Sequence, residues 1–210
     1  MTHATYFSNH DRRGRWPWSL YHRELERRVE GVVRAAGPRG RVLTVGCGKD
    51  PLVHGANEAT SWACDLDDAA VDACRSQFPG MAARIAASPG PYELPAWEGA
   101  VFDVVVAKEV IEHVDDPPRF ARTLAARLAP RGALVLTTPN YGRWSTLALL
   151  ERTVLEWIAR REGWSRADIH PSRFDRRRLA ALDAGPDMTL ESIAVTRTGW
   201  ALVAVFRRGA

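Results

Sequence analysis

The stretch Arg41-Val42-Leu43-Thr44-Val45-Gly46-Cys47-Gly48-Lys49-Asp50-Pro51 decides the fold. Its first half is a short, β-branched, apolar run bounded by Gly40 and Gly46. That is the pattern of a strand buried on both faces rather than one with a wet side. Its second half puts two glycines directly at the strand's end. There the backbone turns at once and lets a neighbour approach without a Cβ in the way. In open parallel sheets, ligands bind beyond the carboxyl ends of strands, so this turn is the first place to look for a site. The dinucleotide fingerprint GxGxxG is incomplete, because Pro51 stands three residues beyond Gly48, and a nicotinamide cofactor is disfavoured. Taken alone, the GxG turn fits a plain strand–loop connection equally well.

Working outward, the same grammar repeats. Upstream, Tyr21, Leu25, Val29, Val32 and Ala36 recur at spacings of three and four, predicting an amphipathic helix that Gly37-Pro38-Arg39-Gly40 ends. Downstream, strands are predicted at 61–65, 82–87, 102–107 and 132–137, with helices at 68–78 and 118–128. Alternation of strand and helix across 41–138 predicts an α/β, doubly wound, mostly parallel sheet with right-handed crossovers. After Pro139 the pattern changes. A helix around 147–159 lies among Trp144, Trp157 and Trp164, another is predicted at 175–183, and two strands at 190–197 and 200–207 flank Gly199 as an antiparallel pair. No internal repeat or linker divides the chain. The expectation is one domain over 1–210, with an N-terminal cap and helix at 1–36 and a lid-like insertion at 141–175.

Composition narrows the class. The chain has 210 residues, 46% hydrophobic and 26% charged, as a globular domain does. No run approaches the about 20 apolar residues of a membrane span, and the N-terminal residues carry no apolar core of a secretory signal. The cysteines are Cys47, Cys64 and Cys74, an odd set without CxxC spacing, which predicts neither a disulfide framework nor a zinc site and suits a reducing cytoplasm. Net charge is +4, carried almost wholly by arginine, since Lys49 and Lys108 are the only lysines. Scattered basic residues make a nucleic-acid partner the less favoured reading, against a solvated surface or a small acidic substrate.

The residues after each strand carry the chemistry. Asp65 follows the second strand, where a carboxylate accepts hydrogen bonds from the ribose hydroxyls of an adenosine ligand. The competing role, a helix N-cap, is open to Asp67 or Asp68 as well. Together Gly46, Gly48 and Asp65 say more than any one of them. After the fourth strand stands Lys108-Glu109-Val110-Ile111-Glu112-His113-Val114-Asp115-Asp116-Pro117, and the fifth ends in Thr137-Thr138-Pro139-Asn140.

The strings FDVVVAKEVIEHVDDPPRF and LAPRGALVLTTPN resemble the class I S-adenosylmethionine-dependent methyltransferases, most closely the branch of the ubiquinone-biosynthesis O-methyltransferases. The resemblance runs from about Arg41 to Asn140 and returns faintly at His170-Pro171-Ser172-Arg173-Phe174-Asp175. It implies a Rossmann-like seven-stranded sheet with an antiparallel C-terminal hairpin and a helical cover, and S-adenosylmethionine as cofactor. It implies that Gly46, Cys47 and Gly48 run under the amino-acid part of that cofactor. Asp65 would hold the ribose, Leu66 would pack on the adenine, and Glu109 would lie near the methionine moiety. Glu112 and His113 would open the next helix, facing the reaction centre. Three positions depart from the family pattern: Thr44 replaces an acid, Asp50 a glycine, and Ala86-Ala87-Ser88 lacks the acid that follows the third strand.

Methyl transfer from a sulfonium is an in-line displacement in which the protein positions the acceptor and excludes water. An oxygen acceptor also loses a proton. His113 is the first candidate base, with a structural histidine as the competing role, and His170 is the second. No cluster of carboxylate and histidine has metal-ligand spacing, so no metal is expected. Substrate contacts are expected from the aromatic segments outside the shared core. These are Tyr6, Phe7, His10, Trp16 and Trp18 at the N-terminus, and Tyr141, Arg143 and Trp144 with Arg173 after the fifth strand. The function these residues favour is methyl transfer to a small-molecule acceptor through oxygen. An RNA or protein methyltransferase, suggested by charge alone, and a cofactor-binding domain without catalysis are the alternatives.

Overall fold

The computed structural model describes residues 18–143, 145–147, 160 and 170–210. It contains a seven-stranded sheet of order β3-β2-β1-β4-β5-β7-β6. Helix α1 (Trp18–Ala35) precedes β1 (Val42–Val45), β2 (Ser61–Asp65), α2 (Asp68–Gln77), β3 (Ile85–Ala87) and β4 (Phe102–Lys108). Then come α3 (Pro117–Ala125), β5 (Leu128–Pro139), α4 (Arg176–Ala180), β6 (Met188–Val195) and β7 (Ala201–Arg208). Strands β1 to β5 run parallel, while β7 is antiparallel to both β5 and β6. The expected α/β sheet with its closing hairpin is therefore what the chain forms.

Strand order reverses at β1, which pairs with β2 on one side and β4 on the other. Val45 is in register with both Cys64 and Ala107. The glycine turn after β1 thus opens level with Asp65 and Lys108, at the switch point where a crevice forms between diverging loops.

Both faces of the sheet's central strands are covered, which is why β1 and the middle of β4 and β5 are rich in valine and leucine. Val42, Val104, Val106 and Val135 pack under Leu25, Val29 and Val33 of α1. On the other face Leu43, Val45, Val105, Leu134 and Leu136 meet Phe120 and Leu124 of α3. The α1 stripe departs by one position from the expected one: Val33 is fully buried, and Val32 is only partly so. Asp67 caps α2 by accepting from Ala69 N–H, and Asp116 caps α3 by accepting from Arg119 N–H, so neither acid is spent on the crevice.

Boundaries differ where breakers act. The third strand, expected over 82–87, is only Ile85–Ala87, because Pro79–Arg84 coils into a 3-10 turn opened by Pro79. The fifth begins four residues early, at Leu128. Pairing with Phe102 carries the strand across Pro130 through an irregularity in the β4–β5 register. Helix α4 is five residues long rather than nine, and α3 ends at Ala125. Strand β6 starts at Met188, paired with Arg208, and lies largely exposed at the sheet edge. The helix expected near 147–159 falls outside the described residues beyond Leu147.

Candidate active site

The glycine turn is held by its neighbours. Gly46 N–H and Cys47 N–H both donate to the carbonyl of Cys64 on β2, at 2.9 and 3.1 Å. Gly46 (φ 67°) and Gly48 (φ 54°) take left-handed backbone, which favours glycine. At Gly46 a second reason applies, since a Cβ there would collide with the Val110 side chain. The turn and the segment after β4 are therefore in contact. Beneath it, the Cys74 thiol donates to Gly48 O at 3.1 Å. Cys74 also holds the Cys47 thiol in its protonated form by hydrogen bonding, and burial adds to that rise. Burial likewise pushes the neighbouring Cys64 thiol up to about 12. All three cysteines are free and buried, so this floor is apolar in character.

Asp65 closes the other wall. Its carboxylate is 7% exposed, with Oδ2 accepting from Gly48 N–H at 2.7 Å and Oδ1 accepting from Asp67 N–H at 3.0 Å. An ionised carboxylate has about four acceptor sites, so capacity for a ligand's hydroxyls remains. Leu66, the next residue along, is 57% exposed.

Glu109 has φ 59°, uncommon for a residue with a side chain. Thr137 on β5 enforces it. The Thr137 hydroxyl accepts from Glu109 N–H and donates to Glu109 Oε1, each at 3.0 Å, and is itself fully buried. Strained backbone fixed by such a clamp is typical of functional positions. The sequence gives Thr137 no role beyond its place in the Thr137-Thr138-Pro139-Asn140 end of β5, but its register with Lys108 is the signal that finds it.

Residues 111–113 form a single 3-10 turn rather than the start of a helix, and the helix proper waits until Pro117. Within that turn Glu112 is buried and His113 is partly exposed. The structure brings His113 and His170 together, with ring centroids 4.8 Å apart in an edge-on arrangement. Ser172 makes this meeting possible. Its N–H donates to Glu112 O at 3.1 Å and its hydroxyl to Val114 O at 2.9 Å, stapling 170–172 against 112–114. The hydroxyl of Tyr141, a residue expected at the substrate, lies 2.6 Å from His170 Nδ1, and Arg173 stacks over the Tyr141 ring.

Ligand atoms of Glu112, His113 and His170 all fall within 4.8 Å of one another, so the fold assembles a group that could hold a cation. Spacing along the chain gave no hint of it, because His170 arrives from a distant segment. Arg143 is exposed and lines a shallow hollow with Asn140, Asp175 and Arg177, whose lining includes none of His113, His170, Gly46 or Asp65. Trp144, Trp157, Trp164, Tyr6, Phe7, His10 and Trp16 lie outside the described residues, and of Trp18 only the backbone is described.

The methyltransferase domain model matches residues 10–184, which includes the whole crevice. The chain belongs to the methyltransferase domain family. Among curated proteins it is similar to the ubiquinone biosynthesis O-methyltransferase of Caulobacter sp. (strain K31), with 33% identity over 126 residues, or 56% of this chain and 49% of that one. The chain thus spans about half the length of the curated relatives it matches. Its fold is similar to that of the N-methyltransferase NodS from Bradyrhizobium japonicum in complex with S-adenosyl-L-homocysteine (TM-score 0.60, 16% identity, 92% of each chain). It is also similar to that of an S-adenosylmethionine-dependent methyltransferase from Clostridium acetobutylicum (TM-score 0.66, 10% identity, 99% of each chain). The methyltransferase domain's cofactor is S-adenosylmethionine, and the left-handed turn, the buried carboxylate of Asp65 and the exposed Leu66 suit the parts of that molecule. Among the described residues, no helix is long and apolar enough to cross a membrane.

Proposed function

We propose that this methyltransferase-domain protein moves the methyl group of S-adenosylmethionine to an oxygen of a small-molecule acceptor, with the His113–His170 pair taking the acceptor's proton. One observation carries the reading. His113 N–H donates to Val110 O, and Val110 is the residue that packs on Gly46, so the histidine pair sits one turn from the glycine loop. A base carried on the turn that abuts the glycine loop supports this reading, since an acceptor bound there would have a proton acceptor beside the methyl donor.

The cofactor supplies the electrophilic methyl group, and the chain does the rest. Gly46, Cys47 and Gly48 receive the amino-acid part, Asp65 the ribose, Leu66 the adenine, and Glu109 lies near the methionine. His113 accepts the proton, while His170, positioned by Tyr141, flanks it. The similar protein of Caulobacter sp. is an O-methyltransferase of ubiquinone biosynthesis, which supports an oxygen acceptor. Tyr141, Arg143, Trp144 and Arg173 remain the proposed acceptor contacts, and Tyr141 also orients His170. Three free thiols buried in the chain suit a reducing cytoplasm.

The test is direct. The purified protein is analysed by mass spectrometry for retained S-adenosylmethionine or S-adenosylhomocysteine. It is then assayed with isotopically labelled methyl donor against phenol, carboxylic acid and amine acceptors. Retained cofactor with labelled methyl ethers or esters is the expected result. Labelling of amines alone would remove the oxygen assignment.

A further inference from the structure

Lys108 is the last residue of β4, and its side chain lies on the α1 side of the sheet, in step with Val104 and Val106. It is only 15% exposed. Its ammonium lies 3.7 Å from Asp50 Oδ2 in the glycine turn and 3.8 Å from Glu26 Oε1 on α1. Both separations exceed the roughly 2.7–2.9 Å of a charge-assisted hydrogen bond. Nζ makes no hydrogen bond among the described residues, so its three donors remain for a ligand that enters between the two carboxylates. On the same face, the buried Thr44 hydroxyl also has no partner among the described residues. The chain otherwise uses arginine for nearly all its positive charge. A lysine offers a compact point charge where a guanidinium fork would need more room.

We propose that Lys108 is the receptor for the carboxylate of the cofactor's methionyl group, with Asp50 and Glu26 facing its α-ammonium; this rests on the crevice being the S-adenosylmethionine site. One cation between two carboxylates is the charge complement of an α-amino acid zwitterion. It also accounts for two departures from the family pattern. Thr44 brings no carboxylate to the tip of β1, and Glu26 and Asp50 bring two to Lys108.

Calorimetry with two ligands tests it. S-adenosylhomocysteine carries the amino acid group, and 5′-methylthioadenosine has the same adenosyl thioether without it. Lys108→Met is expected to weaken S-adenosylhomocysteine about tenfold or more and to leave methylthioadenosine within about twofold, while Lys108→Arg, which keeps the charge on a bulkier fork, recovers only part of the loss. Equal losses for both ligands, or no loss for either, would overturn the proposal. Should Lys108→Met unfold, Lys108→Gln and the decarboxylated analogue of S-adenosylhomocysteine on the unmodified protein give the same contrast. Tight binding of that analogue by the unmodified protein overturns the proposal. An unmodified protein that binds none of these ligands overturns the cofactor reading itself and this inference with it.

Discussion

Gly48 donates its backbone N–H to the Asp65 carboxylate at 2.7 Å, tying the turn after β1 to the tip of β2. Two features far apart in the chain become one wall. The bond also means that Asp65 has two duties, shaping the turn and facing the crevice, and variants separate them.

Asp65→Ala removes both, and its affinity for S-adenosylhomocysteine should fall at least about tenfold, the worth of hydrogen bonds to a charged group. Asp65→Asn should fall nearly as far, because its amide presents hydrogen to either the Gly48 or the Asp67 N–H. Titration calorimetry decides, and an unchanged dissociation constant for Asp65→Ala removes the ribose assignment.

Gly46→Ala places a Cβ against Val110 on a left-handed backbone. A loss of about 1–3 kcal/mol in unfolding free energy is expected. The double variant with Val110→Ala should recover only the steric part. Thermal and denaturant unfolding of the three variants check this, and full recovery would show that backbone strain at Gly46 is negligible.

His113→Ala should lower kcat by about 10²–10⁴ and leave cofactor affinity near that of the unmodified protein. His170→Ala and Tyr141→Phe should act more mildly, since they orient rather than abstract. Because the base works in its neutral form, the rate should fall toward acid pH, and that limb should vanish in His113→Ala. A variant retaining full activity with an unaltered pH profile strikes His113 from the mechanism.

The same cluster makes a metal prediction. The electrophile comes from the cofactor, so no Lewis acid is required. Chelator treatment should leave the rate unchanged. Added zinc should inhibit by occupying Glu112, His113 and His170, whose donor atoms suit it. Loss of activity on chelation, restored by a divalent ion, would reassign the cluster from proton transfer to metal binding.

How much of this could be read from the residues follows from what each feature depends on. Strands β1, β2 and β4 are legible nearly to the residue because each has a short, mostly apolar centre buried on both faces. The nearness of Gly48 and Asp65 was legible too, since parallel pairing puts successive strand tips level. Strand β3 was overread, because 82–84 carries alanines that fit a strand or the 3-10 turn launched by Pro79. The meeting of His113 with His170 was not legible. It depends on two hydrogen bonds from Ser172 to carbonyls of 112 and 114, and backbone acceptors leave no mark in a sequence. The surroundings of Lys108 are illegible for a related reason: its partners come from α1 and the turn, and only the fold gathers them.

Glu24 gives a prediction away from the crevice. It lies in α1 and is nearly buried, yet it reaches the β6–β7 connection, accepting from Arg197 N–H at 2.7 Å and from Arg28 at 3.0 Å. Burial alone would raise its carboxyl, but the Arg197 and Arg28 hydrogen bonds outweigh that and hold it below the ordinary range. A carboxyl depressed in the folded state favours folding at pH values above its unfolded value, about 4.3, and loses that contribution as pH falls through the folded value. Glu24→Gln should therefore destabilise by about 1–3 kcal/mol at neutral pH, since one buried charge-assisted contact is lost and Arg28 keeps an unpaired neighbour. The difference between variant and unmodified protein should shrink below about pH 4. Urea unfolding at several pH values measures it. A difference that stays constant down to pH 3 would mean the carboxylate's charge contributes nothing to anchoring α1 on the sheet.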